Sequence, residues 1–431
     1  MQPSRQVEPP IEASARSSRA SAAAVDRRCT SLRGGVFGIT LADLRALDAI
    51  DPDQSAQAEL PSMRAGPSRR TYFAGMLLRP AGHSFDRAPF MVFWEMTQAC
   101  DLACKHCRAC AVPSADPREL TTEEALLMLR EVRALGCPNL VLTGGDPAKR
   151  PDLVPLVAFA TSLGLRVALT PSATPLVTRE LLVQLKAAGL ARLALSLDGA
   201  SAKSHDSFRG VSGSFERSLE ILREAKHLGL TTQINTTVST DNLTELPDIV
   251  RLCGQYGIEL WSVFFLVPTG RGAQLGMLTA DQVEIVLEYL AELLEQSCFD
   301  IKTTAAPHFR RVLLRNKLQR EHVAGLSDGI GRAARGVNDG QGIVFISHRG
   351  EVYPSGFLPI PCGHVRELAS VYREHPLFIA LRNPERLGGK CGECEWKRIC
   401  GGSRARAYAL EGDPLAAEPW CSYVPRGGAR L

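Results

Sequence analysis

Residues 91–112 read MVFWEMTQACDLACKHCRACAV. The first six, Met91–Met96, are apolar except for one glutamate and are predicted to form a buried strand. The loop after this strand carries Cys100, Cys104 and Cys107 in the spacing C-x3-C-x2-C. Cysteine thiolates hold iron–sulfur clusters well, and three of them around a four-iron cluster leave one iron open. The stretch therefore predicts a cluster with an open coordination position at a strand end, with a zinc knot as the alternative.

Short apolar strands alternate with helices from residue 91 to residue 296. Such strands are typical of a buried parallel sheet, and the alternation indicates parallel βα units. Six units are fewer than the eight of a complete TIM barrel, so we expect an α/β fold with a partial, open (βα)6 barrel. Its site should lie at the carboxyl ends of the strands. The predicted strands are Met91–Met96, Leu140–Thr143, Arg166–Thr170, Arg192–Leu197, Gln233–Val238 and Leu260–Leu266, and the predicted helices are Thr122–Leu135, Pro151–Leu163, Thr178–Ala188, Ser214–Leu228, Leu243–Tyr256 and Ala280–Gln296.

The composition is that of an ordinary globular protein, with 431 residues of which 45% are hydrophobic and 22% charged. A net charge of +4 is too balanced to indicate a nucleic-acid-binding surface. No apolar run approaches the roughly 20 residues that span a bilayer, and we find no apolar signal segment, so no membrane partner is expected. The 13 cysteines therefore indicate metal binding rather than disulfides, and a reducing, cytoplasmic location.

The chain is predicted to have three parts. Residues 1–75 are rich in Ser, Ala and Arg and bury little apolar surface, so we expect a disordered tail, with a transit peptide as the alternative. Residues 88–300 are predicted to form the barrel. Residues 301–431 are predicted to form a smaller domain that contains a hairpin made by Gly342–Ser347 and Val352–Tyr353.

A second group of cysteines lies in this smaller domain, in the spacing Cys391-x2-Cys394-x5-Cys400, and is followed by Cys421. A CxxC pair with more distant cysteines is typical of a zinc or an iron–sulfur site. The spacing alone leaves both metals open.

The first cysteine motif, placed after the first strand of a (βα)6 barrel, resembles the radical SAM superfamily. In that family the open iron chelates the amino and carboxylate groups of S-adenosylmethionine (SAM). Electron transfer into the sulfonium then yields methionine and a 5'-deoxyadenosyl radical. The resemblance implies that Cys100, Cys104 and Cys107 hold a catalytic [4Fe–4S] cluster. Cys110 is expected to be a buried small hydrophobe, because a fourth ligand would close the open iron.

Motifs at the predicted strand ends are similar to the family's SAM-binding segments. Gly144-Gly145-Asp146-Pro147 is similar to the family's G-G-E-P, with Asp in place of Glu, and implies backbone contact with the methionine amino group. Ser196 and Asp198, in the string LSLDG, resemble the ribose-contacting region.

Three later residues complete the expected SAM site. Arg209 resembles the arginine that pairs with the methionine carboxylate, for which a guanidinium is well suited, and a surface arginine is the alternative. The resemblance implies that Asn235 contacts the nucleoside, although a strand-end role is equally open, and that the backbone near Leu266 contacts adenine.

The string CGECEWKRICGGS at residues 391–403 resembles the SPASM extension of radical SAM enzymes, which can carry two auxiliary [4Fe–4S] clusters. Ser355 and Ser403 stand where the family usually has cysteines of the inner cluster, so that cluster is expected to be absent. The resemblance then implies one auxiliary cluster for electron transfer, with a structural zinc as the alternative, and leaves Cys362 unassigned. Its expected ligands are Cys391, Cys394, Cys400 and Cys421.

The residues around the first motif bear on the substrate. Trp94 and Glu95 before it, and the string Arg-Ala-Cys-Ala after Cys107, resemble the branch of haem-pathway enzymes that oxidatively decarboxylate porphyrin propionates. Peptide maturases are the alternative, but they often carry an N-terminal recognition domain, and residues 1–70 are expected to be too sparse in apolar residues to form one. A non-enzymatic Fe–S or zinc protein is the third hypothesis. The expected partners are a small-molecule or peptide substrate and an external electron donor of flavodoxin or ferredoxin type.

Overall fold

A computed structural model describes residues 84–319 and 336–426. The tail predicted over residues 1–75 lies outside the described residues. Strands β1–β10 are Met91–Glu95, Asn139–Thr143, Arg166–Leu169, Arg192–Ser196, Thr232–Val238, Leu260–Phe265, Asp300–Thr304, Ile343–Ile346, Glu351–Tyr353 and Gly363–His364. Helices α1–α12 are Thr122–Ala134, Leu153–Ser162, Arg179–Ala187, Ala202–Arg209, Ser214–His227, Leu246–Tyr256, Ala280–Gln296, His308–Gln319, Leu368–Glu374, Pro376–Arg382, Gly389–Glu393 and Arg404–Glu411.

The strands form one ten-stranded sheet in the order β10-β9-β8-β1-β2-β3-β4-β5-β6-β7. Strands β8 and β1 to β7 are parallel, and β9 and β10 add an antiparallel edge. Helices connect successive strands from β1 to β7, as the crossovers between parallel strands require. The predicted partial-barrel α/β fold is therefore confirmed, and all six predicted strands are present.

Two parallel strands were not predicted as parts of the barrel. Strand β7, with the polar sequence DIKTT, pairs with β6, and its burial pattern lacks the apolar run that marks a buried strand. Strand β8 is the first strand of the predicted hairpin, but it also pairs with β1, with Met91 opposite Ile343. One sheet thus crosses residue 300, and the division of the chain there remains a proposal.

Local signals position the first elements well. Helix α1 begins with a capping box, in which Thr121 Oγ1 accepts the Glu124 N–H and the Glu124 carboxylate accepts the Thr121 N–H. Strand β1 is fully buried at Val92 and Trp94, as expected for a strand between two parallel neighbours. Among the described residues, no helix is long and apolar enough to cross a membrane.

Helix α4 was not predicted. Its sequence AKSHDSFR is polar, and only His205 and Phe208 are buried, so the apolar pattern is too short to be recognised. Ser201 caps its first turn and Gly210, with φ +71°, ends it in the left-handed region. The helix matters because it delivers Arg209 to the site.

Candidate active site

A cavity of about 480 Å³ lies inside the curved sheet. Cys100, Cys104 and Cys107 line it together with the carboxyl ends of the strands, represented by Thr143, Ser196, Asn235 and Leu266. Its lining also reaches the opposite strand ends at Arg166, Arg192 and Gln233. The three cysteines of the first motif therefore face one interior space from the end of the sheet where sites of this fold occur.

The glycines of the GGDP segment let it lie against the residues that lead into the cysteine loop. The Gly145 N–H donates to Thr97 O at 2.8 Å, and the Asp146 N–H donates to Ala99 O at 2.7 Å. A Cβ on Gly145 would lie 2.3 Å from Ala99 O, and one on Gly144 would lie 2.5 Å from Thr97 O. Only glycine fits at these two positions, and the pairing fixes where the cysteine loop begins.

The far side of the loop is held by Arg271 and its neighbour Gly270. Arg271 donates its backbone N–H to Cys107 O at 3.0 Å and its Nε–H to Cys104 O at 2.9 Å. Gly270 has φ +57°, and a Cβ there would lie 2.4 Å from Arg108 O. The loop is thus packed between the segments that follow β2 and β6.

Each of the three sulfur atoms has a polar neighbour. Cys100 Sγ lies 3.2 Å from Ser172 Oγ, and Cys107 Sγ accepts the Ala111 N–H at 3.4 Å. Cys104 Sγ lies 3.5 Å from Arg209 Nη1. Burial raises the pKa of the Cys100 thiol, and the Ser172 hydrogen bond opposes this shift. The Ala111 N–H and the Arg209 guanidinium are donors that suit thiolates, the form in which cysteine binds metal.

Arg209 and Asp198 form a buried ion pair, with 2.5 Å between Nη2 and Oδ2. Burial raises the pKa of Asp198, but Arg209 and the other groups around it together lower it more, so the carboxyl stays ionised at neutral pH. Asp198 Oδ1 also accepts the Thr237 N–H at 2.7 Å, and its backbone N–H donates to His205 Nδ1 at 3.1 Å. The carboxylate predicted to contact ribose therefore lies against the guanidinium predicted to contact methionine.

The structure separates the predicted SAM-binding residues into two groups. Those that line the cavity are Gly144, Gly145, Ser196, Arg209, Asn235 and Leu266. Those that do not line it are Asp146, Pro147 and Asp198. Asp146 is buried and accepts the Thr174 hydroxyl at 2.7 Å and the Ala148 N–H at 3.1 Å, so its carboxylate shapes the turn. Their roles toward SAM remain predictions.

Several lining residues were missed from the sequence. Ser172 follows β3, His205 lies on the unpredicted helix α4, and Thr237 ends β5. His106, in the cysteine loop, lines the cavity and stacks on Phe208 with ring centroids 4.7 Å apart. Thr237 and Ser172 are polar residues at or just after a strand end, as Asn235 is. Applying the same criterion to every predicted strand would have predicted them as lining residues.

Cys110 is exposed, so the prediction that it is a buried small hydrophobe is wrong. Its N–H donates to Cys107 O at 3.4 Å, and its φ of +48° lies in the left-handed region. This tight turn directs the side chain away from the cavity, whose lining excludes it. Three cysteines therefore face the cavity, and this donor set fits a four-iron cluster with one open iron.

The four C-terminal cysteines line a second, smaller cavity together with His308 and Arg311. Cys391 Sγ accepts the Glu418 N–H at 3.2 Å, and Cys400 Sγ accepts the Gly402 N–H at 3.4 Å. Burial raises the thiol pKa of Cys400, and Arg311 opposes this shift. Four cysteines around one cavity are a donor set that a zinc ion or a [4Fe–4S] cluster could use, so the auxiliary cluster stays a prediction.

Residues 94–253 match the sequence model of the Radical SAM superfamily. The AdoMet-dependent heme synthase of Oleidesulfovibrio alaskensis is 43% identical over 342 residues, which cover 78% of this chain and 88% of that protein. The chain belongs to the radical SAM superfamily. It is therefore an enzyme of the class that uses SAM and a [4Fe–4S] cluster, and the three-cysteine loop is where that cluster fits.

Two further comparisons give the range of this radical SAM enzyme's relatives. The PqqA peptide cyclase of Rhizobium meliloti is 30% identical over 345 residues, which cover 78% of this chain and 88% of that protein. Streptococcus suis SuiB bound to S-adenosylmethionine has a TM-score of 0.62 at 16% identity and covers 78% of each chain. The likeness to SuiB shows that the two share a fold.

Ser355 and Ser403 lie in different surroundings in this radical SAM enzyme. Ser355 lines the large cavity, whereas Ser403 is buried and caps α12, its Oγ accepting the Arg406 N–H at 3.2 Å. Neither lines the four-cysteine cavity. Cys362 is buried, which raises its pKa to about 12, and its thiol donates to Ile360 O at 3.5 Å. Its surroundings are those of a packing residue.

Proposed function

We propose that this radical SAM enzyme oxidatively decarboxylates propionate side chains of an iron tetrapyrrole. The observation that carries the proposal is the lining of the large cavity, which combines aromatic and cationic side chains in front of the three cysteines. A tetrapyrrole with propionates has the same two features, a flat apolar macrocycle and carboxylates at its edge.

The aromatic part of the lining is extensive. Of the 15 phenylalanines in the chain, eight line this cavity, and they are Phe85, Phe90, Phe93, Phe264, Phe265, Phe309, Phe345 and Phe357. Phenyl faces bind flat apolar ligands by offset or edge-to-face packing. This surface favours a large planar substrate.

The charged part of the lining is mostly cationic. Among the described residues, Asp339 is the one carboxylate in the lining. Its cationic side chains are Arg108, Arg166, Arg192, Arg209, Lys302 and Arg310. Guanidinium groups bind carboxylates in planar, charge-assisted pairs. The charge balance of the lining therefore favours an anionic substrate.

The relatives support the same choice. The match to an AdoMet-dependent heme synthase, at 43% identity, is well above the 30% identity to a PqqA peptide cyclase. A peptide substrate remains the alternative, because both relatives align over 78% of this chain.

The protein's own contribution is to hold and shield the reacting groups. When bound, the cluster and SAM supply a 5'-deoxyadenosyl radical that takes a hydrogen atom from the substrate. The loop held by Gly145 and Arg271 places the three thiols at the strand ends. Arg209, fixed by Asp198, keeps a positive charge beside Cys104. The apolar walls exclude water, which would otherwise quench reactive species.

We further propose that Cys391, Cys394, Cys400 and Cys421 hold one auxiliary [4Fe–4S] cluster. Their shared cavity and the backbone N–H donors to two of the sulfurs support this assignment. An external donor of flavodoxin or ferredoxin type would approach the cysteine loop, which is exposed at Cys110 and Val112. Oxygen-sensitive clusters suit the reducing cytoplasm, where we place the reaction.

Anaerobic incubation of the reduced, cluster-loaded enzyme with SAM and iron coproporphyrin III tests the proposal. We expect 5'-deoxyadenosine and a porphyrin that has lost CO2 and two hydrogen atoms per reacted propionate, seen by mass spectrometry. Formation of 5'-deoxyadenosine without any change in porphyrin mass would contradict a tetrapyrrole substrate and favour the peptide alternative. The Cys104→Ala variant serves as the control that gives neither product.

A further inference from the structure

Arg108 lines the large cavity directly after the third cysteine of the loop. Its side chain is 22% exposed, so it is mostly buried but still accessible to a ligand. Two other lining residues, Phe345 and Gly356, lie directly against it. The position places a guanidinium within the same space as Cys107 and next to the aromatic side chains proposed to bind the macrocycle.

A buried carboxylate fixes this guanidinium, and a histidine that follows the neighbouring strand holds the carboxylate. Glu95, at the end of β1, forms an ion pair with Arg108 Nη2 through Oε2. The second oxygen, Oε1, lies 2.7 Å from Nδ1 of His348, which follows β8. Burial raises the pKa of Glu95, but Arg108 and His348 together lower it more, so this carboxyl stays ionised at neutral pH. The carboxylate therefore acts as an anchor behind the arginine.

The face of the guanidinium packs on an aromatic ring. The Arg108 Cζ atom lies 4.4 Å from the centroid of Phe345, a contact that orients the plane of the group. Phe264 and Phe357 also line the cavity and pack edge to face, with centroids 6.4 Å apart. We call Phe264, Phe345 and Phe357 the aromatic corner.

Part of the guanidinium remains available to a ligand. Among the described residues, Glu95 is the one hydrogen-bond acceptor of Arg108, and it uses Nη2 alone. A Cβ on Gly356 would lie 3.3 Å from Nε, so the glycine keeps this side of the group open. An arginine that is anchored at one nitrogen and stacked on a ring loses little freedom when it binds a carboxylate.

We propose that Arg108 binds a carboxylate of the substrate and so favours carboxylate-bearing ligands, whose macrocycle would pack on the aromatic corner. The inference rests on the proposed tetrapyrrole function and adds the residue that recognises the negative charge of the substrate. Arg209 is already occupied by Asp198, whereas Arg108 shares only one nitrogen with its anchor. Arg108 is thus a substrate-binding residue, and Glu95 and His348 are positioning residues.

Binding titrations with two matched porphyrins test the inference. Iron coproporphyrin III carries four carboxylates, and its tetramethyl ester keeps the macrocycle without the charges. For Arg108→Gln in the cluster-loaded enzyme, we expect the Kd for the tetra-acid, followed by the Soret band, to rise about ten- to a hundredfold. The Kd for the ester should change less than about twofold, and Arg108→Lys should give an intermediate loss for the tetra-acid.

Two controls separate binding from folding. Glu95→Gln/Arg108→Gln removes both buried charges, so no unpaired carboxylate is left behind, and it should show the same selective loss. Arg251→Gln, at an exposed helix position, should bind both porphyrins as the unaltered enzyme does. If Arg108→Gln raised the Kd for the tetra-acid and for the ester equally, or left the Kd for the tetra-acid unchanged, the role of Arg108 would be overturned. The proposed function would not be. Failure of the unaltered enzyme to bind either porphyrin would overturn the proposed function and this inference with it.

Discussion

Asp198 and Arg209 join the end of β4 to the cysteine loop through a buried ion pair, with Oδ2 and Nη2 2.5 Å apart. The same guanidinium reaches Cys104 Sγ at 3.5 Å. Asp198 has no exposed side-chain surface, so its charge depends on this partner and on the Thr237 N–H. When one partner of such a buried contact is removed, no other group is available to replace it. The predictions about stability and cluster binding depend on this.

Asp198→Asn should destabilise the folded protein by about 3–5 kcal/mol, because it leaves the Arg209 charge buried without its partner. Urea denaturation under anaerobic conditions measures the loss. Asp248→Asn breaks the exposed Asp248–Arg251 pair and should cost less than about 1 kcal/mol. Equal losses in the two variants would show that the buried pair is not a stabilising link.

The two cysteine groups should separate functionally. Cys104→Ala should abolish reductive SAM cleavage, because it removes one of three thiols around the first cluster site. Cys394→Ala should still form 5'-deoxyadenosine but stop conversion of the substrate, since it alters the second cavity alone. Chromatography of both products measures this. Equal loss of SAM cleavage in two folded variants would refute the division of roles.

Gly145→Ala should prevent cluster loading at the first site. The added Cβ would lie 2.3 Å from Ala99 O and would push the start of the cysteine loop out of place. Iron content after anaerobic reconstitution measures the effect, and a drop of about four irons per chain is expected for a lost [4Fe–4S] cluster. Gly388→Ala, whose Cβ would come no nearer than 3.5 Å to another atom, should keep the full iron content.

Stability should fall as the pH falls from 6.5 to about 4, partly because of His205. Burial lowers the pKa of this histidine to about 4, and its Nδ1 accepts the Asp198 N–H. The unfolded chain, with an ordinary histidine pKa near 6.5, therefore binds more protons than the folded protein in this window. His205→Asn keeps an acceptor and should flatten the pH dependence of the urea midpoint. An unchanged pH dependence would show that His205 does not contribute.

Much of the fold follows from the sequence because its signals are local. All six predicted barrel strands are present, and Ala280–Gln296 forms the predicted helix with the same bounds. Strand β7 escaped prediction because DIKTT is polar, and its pairing with β6 depends on contacts that are distant along the chain. The pairing of β8 with β1 is likewise a long-range contact, and no local sequence pattern predicts it.

The site was predicted less completely than the fold. The three cysteines and the two glycines follow from motif spacing, and the structure brings them together around one cavity. The contact between His348 and Glu95 depends on β1 and β8 being neighbours, so the sequence gives no sign of this part of the anchor. The exposure of Cys110 was predicted wrongly because burial there depends on a single left-handed turn, which its sequence does not reveal.

The most direct test of the central claim is electron–nuclear double resonance of the reduced enzyme with SAM labelled with 15N at the amino group. The claim is that three cysteines hold the first cluster and leave one iron open to SAM. It predicts a 15N hyperfine coupling to the cluster, in the unaltered enzyme and equally in Cys110→Ala, since Cys110 lies outside the cavity lining. A cluster that shows no coupling to labelled SAM would contradict the claim.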